Sequence, residues 1–223
     1  MFRILEREAV VFMKGLIICG GIVEDSSIIV REAEKVDFII CADRGASHAK
    51  RCNIKPDLIV GDLDSVSHDA IDYYKREGVP IETYPTDKDM TDSEIAIWKA
   101  VKMGYDELVI MGATKNRLDH CIGNVLVLKK LLDNNIKAVI KDENNEVRLI
   151  NDSIELQKEK GYKVSLLPLT NEVCGITTSG LKYSLDNGKL VMGESLGVSN
   201  EFVDDVARIT INEGLLLVLK SKD

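Results

Sequence analysis

Residues 37–65 read DFIICADRGASHAKRCNIKPDLIVGDLDS: two short apolar runs separated by a segment of helical period, with aspartate at the exit of each run. Strand, covering helix and second strand in that order form the repeating unit of a parallel sheet flanked by helices. The unit recurs outward in both directions. GLIIC (15–19) precedes it, and PIETY (80–84), ELVIMG (107–112) and KAVI (137–140) follow, again with amphipathic stretches between them. One helix has a marked start, because Thr91 followed by Glu94 forms a capping box ahead of Ile95, Ile97, Trp98 and Val101. A second helix is predicted through DHCIGNVLVLKKLLDNN (119–135), stopping at the Asn pair.

Beyond KDENNEV (141–147) the texture changes to short β-type runs such as EVRLI, KVSLLPL, EVCGITT, ARITI and LLLVL, with DNG at 186–188 as a hairpin-turn signal. The predicted fold class is α/β, a mostly parallel sheet flanked by helices over residues 13–143, joined to an all-β sandwich over 144–223. Residues 1–12 match no motif and read as an extension ahead of the first strand.

Composition narrows the function. With 45% apolar residues the 223-residue chain can bury real cores. No run approaches the ~20 apolar residues of a membrane span, and the charged N-terminal stretch is no signal peptide, which leaves the cytoplasm as the expectation. Five cysteines without a C-x-x-C pair argue against a disulfide framework and a zinc site. A formal charge of -8 with no basic stripe argues against a nucleic-acid partner.

Aspartates gather where strands end: Asp43 in CADRGA, Asp62 and Asp64 in GDLDS, Asp87, Asp89 and Asp92 in TDKDMTDSE, and Asp119 in RLDH. Such carboxylates suit a hard cation such as Mg²⁺, which usually arrives with substrate phosphates, so metal-dependent phosphoryl chemistry is expected. In an extended exit from the strand, Asp62 and Asp64 lie two residues apart, project to one side and reach one cation. Asp43 is placed where open α/β sheets bind ligands, with a helix N-cap as the competing role. Gly20 and Gly21 follow the first strand, where backbone N–H groups receive phosphate or a turn simply needs glycine. Lys88 stands between carboxylates to meet phosphate charge. Arg117 suits a forked hold on a phosphoryl group, while His120 is either a base or a structural hydrogen-bonder.

Taken in order, CADRGA, PDLIVGDLDS, KDMTDSEIA, GATKNRLDH, TTSGLKYSL and GVSNEF resemble the motif series of the thiamine pyrophosphokinase family, over about residues 14–220. The resemblance implies an α/β catalytic domain, a β-sandwich domain, a homodimer, and transfer of diphosphate from ATP to thiamine with release of AMP. It implies that Asp62, Asp64 and Asp92 hold magnesium, with Asp43 close to the same phosphate site and Arg117 and Asp119 in the active site. Ser199 and Asn200 match a segment that helps form a thiamine pocket across the subunit interface, Phe202 would wall it, and Thr178 lies in the other thiamine-side motif. Lys88 and Arg117 would offset charge while the thiamine hydroxyl attacks, and Asp119 or Asp89 would take its proton. This chain departs from the pattern at Lys115, Asn116 and Arg44, where glycine is frequent, and at Ser184, where proline is.

Two other readings fit parts of the chain. LIVGDLDSV also resembles the D-x-D strand exit of haloacid-dehalogenase-type phosphatases, with VDD at 203–205 as a later acidic pair. A sensing module that binds without turnover is the third, and a full acidic set argues against it because a pure binder has little need of mutually repelling carboxylates.

Overall fold

A computed structural model describes residues 13–115 and 117–223; the expected extension over 1–12, and Asn116, lie outside the described residues. The apolar runs become β1 (Lys14–Ile18), β2 (Phe38–Ala42), β3 (Leu58–Gly61), β4 (Ile81–Thr83), β5 (Glu107–Met111) and β6 (Lys137–Lys141). Between them run α1 (Ser27–Ala33), α2 (Gly45–Arg51), α3 (His68–Arg76), α4 (Asp92–Lys102) and α5 (Leu118–Asp133). These strands pair in parallel in the order β4-β3-β2-β1-β5-β6.

Continuous apolar runs are needed because both sheet faces are covered. Ile17, Ile40, Val60 and Ile110 point to one face and pack under α4 and α5 with Ile95, Ile97, Leu128 and Leu131. Their neighbours Leu16, Ile18, Cys41, Ile59 and Val109 point to the other and pack under α1, α2 and α3 with Ile29, Ala46, Ala49 and Tyr74. Helix α4 starts where the sequence places it, with Thr91 Oγ1 accepting from the Glu94 amide at 3.2 Å. Only half of the box is present. The Glu94 carboxylate is drawn instead to Lys130 of α5, 2.8 Å away.

The second half comprises β7 (Asn145–Ile150), β8 (Ser153–Gln157), β9 (Lys163–Pro168), β10 (Glu172–Ser179), β11 (Gly188–Val191), β12 (Asn200–Glu201), β13 (Val206–Thr210) and β14 (Leu216–Ser221). Strand β7 turns back antiparallel on β6 through Ile140↔Val147 and Lys141↔Glu146. The sheet therefore runs on through β7, β14, β9 and β12 to ten strands, and β8, β13, β10 and β11 form a second sheet of four. Val164, Leu166, Leu216 and Val218 of the first meet Val173, Ile176, Ala207 and Ile209 of the second in a shared core, the sandwich the sequence predicts. The expected DNG hairpin is not a tight turn. Asn187 does take a left-handed φ of 49°, but β10 ends at Ser179 and residues 180–187 loop out before β11, since Leu181 bridges to Phe202 and Thr178 and Asn200 hold the loop.

Charge is buried where the halves join. Glu146 lies 3.1 Å from Lys141, 2.7 Å from Arg148 and 3.5 Å from Lys220; Lys141 also meets Glu32 of α1 at 3.0 Å, and Lys220 meets Glu159 at 2.5 Å. Burial alone would raise the Glu146 carboxyl, but Arg148, Lys141 and Lys220 outweigh it and hold it at about 2. All five cysteines are free thiols, two of them buried. Among the described residues no helix is long and apolar enough to cross a membrane.

Candidate active site at the carboxyl ends of the parallel strands

Sequence order along the sheet reverses between β1 and β5, so the loops leaving these strands diverge and open a crevice at the carboxyl ends. A cavity of about 500 Å³ lies there, walled by the loops after β1, β2, β3 and β5 and the segment entering α4.

Two strand exits and the start of α4 converge on it. Asp43, Asp62 and Asp92 each present a carboxylate oxygen within 4.8 Å of the others, the one such acidic group among the described residues that fits a metal ion. Asp43 does not cap α2, whose N-cap is Arg44; its own φ is 54°, and its carboxylate turns toward the next loop, accepting from the Leu63 amide at 3.2 Å and Ser65 Oγ at 2.9 Å. Burial first, and then the charges of Asp92 and Asp62, raise the Asp43 carboxyl above its ordinary range. Asp92 Oδ1 is buried and accepts no hydrogen bond among the described residues; Lys88 Nζ stands 3.1 Å from it, off its bonding direction, and 3.9 Å from Asp62. One ammonium thus faces two carboxylates while also donating to the Pro85 carbonyl at 2.9 Å.

The extended exit expected between Asp62 and Asp64 is not formed. Leu63 sits at φ 64°, which folds the chain so that the Asp64 amide donates back to Asp62 Oδ1 at 3.2 Å. Asp64 is therefore exposed at the rim, its carboxyl raised by the hydrogen bond and charge of Asp62, and Asp43 takes the third place in the half-buried group. Asp87 and Asp89 are exposed, with Asp89 on the cavity wall.

Gly20 and Gly21 line the cavity, but the Gly21 backbone is already engaged. Its amide donates to the Gly112 carbonyl at 2.8 Å, and its carbonyl lies 2.8 Å from His48 Nε2, which must therefore carry the proton. A Cβ on Gly21 would stand 2.4 Å from that Gly112 oxygen, so glycine is required by loop packing rather than by an open phosphate nest. On the β5 side Arg117 and His120 reach the cavity. Arg117 forks onto Asp119 at 3.2 and 2.6 Å, and this pair is exposed; the guanidinium holds the Asp119 carboxyl below its usual range.

The residues expected on the thiamine side lie elsewhere. The buried Asn200 amide accepts from the Tyr183 and Glu201 amides and donates to the Tyr183 carbonyl, at 2.7–3.0 Å, and Thr178 Oγ1 accepts from Leu185 at 2.8 Å. Both shape the 180–187 loop. Ser199 is exposed at φ 61°, and Phe202 is half-buried against the sandwich core. Asn200 begins β12 at one edge of the ten-stranded sheet, whereas Asp62 follows β3, eight strand steps away. At ~4.8 Å per step the path across the sheet is roughly 38 Å. Val203 to Asp205 sit on that far edge too, between β12 and β13, so the acidic pair required by a dehalogenase-type reading is not near Asp62.

Two residues the sequence reading passed over join the site's walls. Asp142 accepts from Thr114 Oγ1 at 2.6 Å, and Glu143 accepts from the Glu24 and Asp25 amides at 2.6 and 2.9 Å and meets Lys115 at 3.0 Å. Their signal was DENN (142–145), an acidic turn read only as the border between two textures.

Residues 30–140 match the family described as thiamin pyrophosphokinase, catalytic domain, and residues 152–216 the vitamin B1 binding domain of the same enzymes. A thiamine pyrophosphokinase of Bacillus subtilis is 28% identical over 187 residues, covering 82% of this chain and 87% of the relative. One from Oryza sativa is 27% identical over 210 residues, 82% of this chain and 79% of the relative. Among solved structures, a thiamin pyrophosphokinase from Geobacillus thermodenitrificans superposes with TM-score 0.83 at 28% identity, over 95% of this chain and 98% of that one.

Proposed function

The chain belongs to the thiamin pyrophosphokinase family, and from that membership we propose a magnesium-dependent enzyme that moves diphosphate from ATP to the hydroxyethyl oxygen of thiamine, releasing AMP. The observation that carries the chemistry is the convergence of Asp43, Asp62 and Asp92 on a cavity shared with Lys88 and Arg117. The buried, unbonded Asp92 Oδ1 and the raised Asp43 carboxyl describe a donor set short of positive charge, and it fits a hard divalent cation. Asp43, Asp62 and Asp92 would hold Mg²⁺, with Asp64 beside Asp62 as a further carboxylate, and the ion would offset charge on the diphosphate.

The chain's own groups do the rest. Lys88 meets phosphate oxygens from within the acidic group. Arg117 exchanges its fork on Asp119 for a fork on phosphate, which frees Asp119 from the charge that depresses it and lets it take the hydroxyl proton; Asp89 on the wall is the other acceptor in reach. Catalysis rests on positioning and electrostatics, as phosphoryl chemistry generally does.

The thiamine side belongs to the Ser199–Phe202 segment, shaped by Asn200 and Thr178, of a second copy. Attack requires reacting atoms about 3–3.5 Å apart, which a roughly 38 Å path across one sheet forbids. A two-fold dimer would build each site twice from opposite halves. Exposed Leu118, Ile122 and Leu126 on one face of α5, and Leu196 and Val198 beside the Ser199 segment, are apolar surface for such a contact. Free thiols throughout suit the reducing cytoplasm.

Incubation with ATP, Mg²⁺ and thiamine should give thiamine diphosphate and AMP in equal amounts; ADP with thiamine monophosphate would refute the reaction. Mixing inactive Asp62→Asn and Asn200→Ala chains should restore up to about a quarter of wild-type activity by random pairing. No recovery in a demonstrated heterodimer would refute the shared site.

A further inference from the structure

Lys115 stands in the loop after β5 at φ 60°, a conformation that L side chains other than Asn and Asp rarely adopt and that glycine accepts freely. Its ammonium accounts for its presence there. Nζ lies 3.0 Å from Glu143 Oε2 and 3.3 Å from Glu24 Oε2, with the Glu143 side chain 13% exposed. The other Glu143 oxygen accepts the Glu24 and Asp25 amides. One carboxylate in the β6–β7 turn thus ties the loop after β1, through backbone, to the loop after β5, through Lys115. Burial would raise the Glu143 carboxyl, but these amides and Lys115 hold it below its ordinary value. The turn is itself fixed, since Asp142 Oδ1 accepts the Asn144 and Asn145 amides at 2.8 Å while Oδ2 holds Thr114. Both tied loops are walls of the cavity, carrying Gly20 and Gly21 on one side and Arg117 on the other.

We propose that Lys115 is a positioning residue for the nucleotide, acting through Glu143 to set the gap between the two walls through which the triphosphate enters. This rests on the diphosphotransferase reading. Lys115 lines the cavity as Lys88 and Arg117 do, but its ammonium is turned to Glu143 and Glu24, so in that reading Lys88 and Arg117 meet phosphate and Lys115 sets where Arg117 stands.

The test uses the full chain as wild type, Lys115→Met, Lys115→Arg, Glu143→Gln and the Lys115→Met/Glu143→Gln double variant. ATP affinity with Mg²⁺ is measured without thiamine, alongside steady-state KM and kcat and the melting temperature. Lys115→Met and Glu143→Gln should each weaken ATP binding and raise its KM about fivefold, with kcat changing less than either. The double variant should be no worse than the singles, and Lys115→Arg should restore affinity. Additive losses, an unchanged KM, or a lowered melting temperature with unchanged affinity would overturn the proposal. So would tighter ATP binding in Glu143→Gln, the mark of a lysine that binds phosphate itself once released. A wild type that binds ATP but forms no AMP would refute the underlying reading and leave the affinity comparison to judge Lys115.

Discussion

Two regions of this molecule bury charge, and they do it in opposite ways. At the junction of the halves Glu146 and Glu32 are met by Lys141, Lys220, Lys35 and Arg148, so each of these two buried carboxylates has a close cation. At the carboxyl-end cavity Lys88 meets Asp62 and Asp92 but not Asp43, and one Asp92 oxygen has no hydrogen bond. The first arrangement satisfies itself; the second sets three carboxylates against one ammonium. Balance of charge, more than the number of acidic residues, separates a structural cluster from a functional one.

The comparison breaks most sharply if a carboxylate of the unbalanced cluster proves structural. Asp62→Asn or Asp92→Asn should lower kcat by about a thousandfold, while the melting temperature holds or rises because repulsion is relieved. An AMP-formation assay and a thermal scan on one preparation read both.

Glu146→Gln should do the reverse, costing about 3 kcal/mol in urea unfolding by stranding buried cations, with kcat nearly unchanged. Acid supplies a second reading of the same group. Because the folded carboxyl is held at about 2, below its ordinary 4.5, its contribution is complete above 4.5 and is lost as pH falls toward 2. Unfolding free energy followed across that window should decline in wild type, and more shallowly in Glu146→Gln.

Asp64 sharpens the boundary of the acidic set. Asp64→Asn should cost about tenfold in activity at limiting Mg²⁺ and less at saturating Mg²⁺, since the side chain stands beside the half-buried three; a magnesium titration separates these cases. The smallest effect belongs to Thr91→Ala, which removes the cap of the helix that carries Asp92. It should lower stability by about 1 kcal/mol, measured by urea unfolding, and raise the magnesium requirement slightly.

Most of the fold was legible because covering both faces of a sheet leaves a local mark. GLIIC, FIICA and LVIMG are apolar throughout, and no surface strand would tolerate that. Thr91 and the Asn pair at 134–135 marked helix ends through backbone demands equally local to sequence. The site was legible as a set of segments and not as a geometry. Left-handed backbone at Asp43 and Leu63 exchanges which aspartates face inward, and spacing alone does not announce a positive φ at a residue other than glycine. Glu143 was invisible for another reason, since its partners at 24, 25 and 115 come from distant parts of the chain. Asn200 was marked only by the family resemblance, and within the chain its amide bonds the backbone of Tyr183 and Glu201, a long-range pairing no local signal announces.

The two residue pairs that zip β6 to β7 also decide how the gene can be divided. A fragment stopping after Lys141 would leave β6 as a bare edge, and the complementary fragment would open on an equally bare β7. Unpaired N–H and C=O rows of that kind recruit other strands. Cutting at the visible change of texture should therefore yield two aggregating pieces, since the smallest unit with protected edges spans the whole ten-stranded sheet.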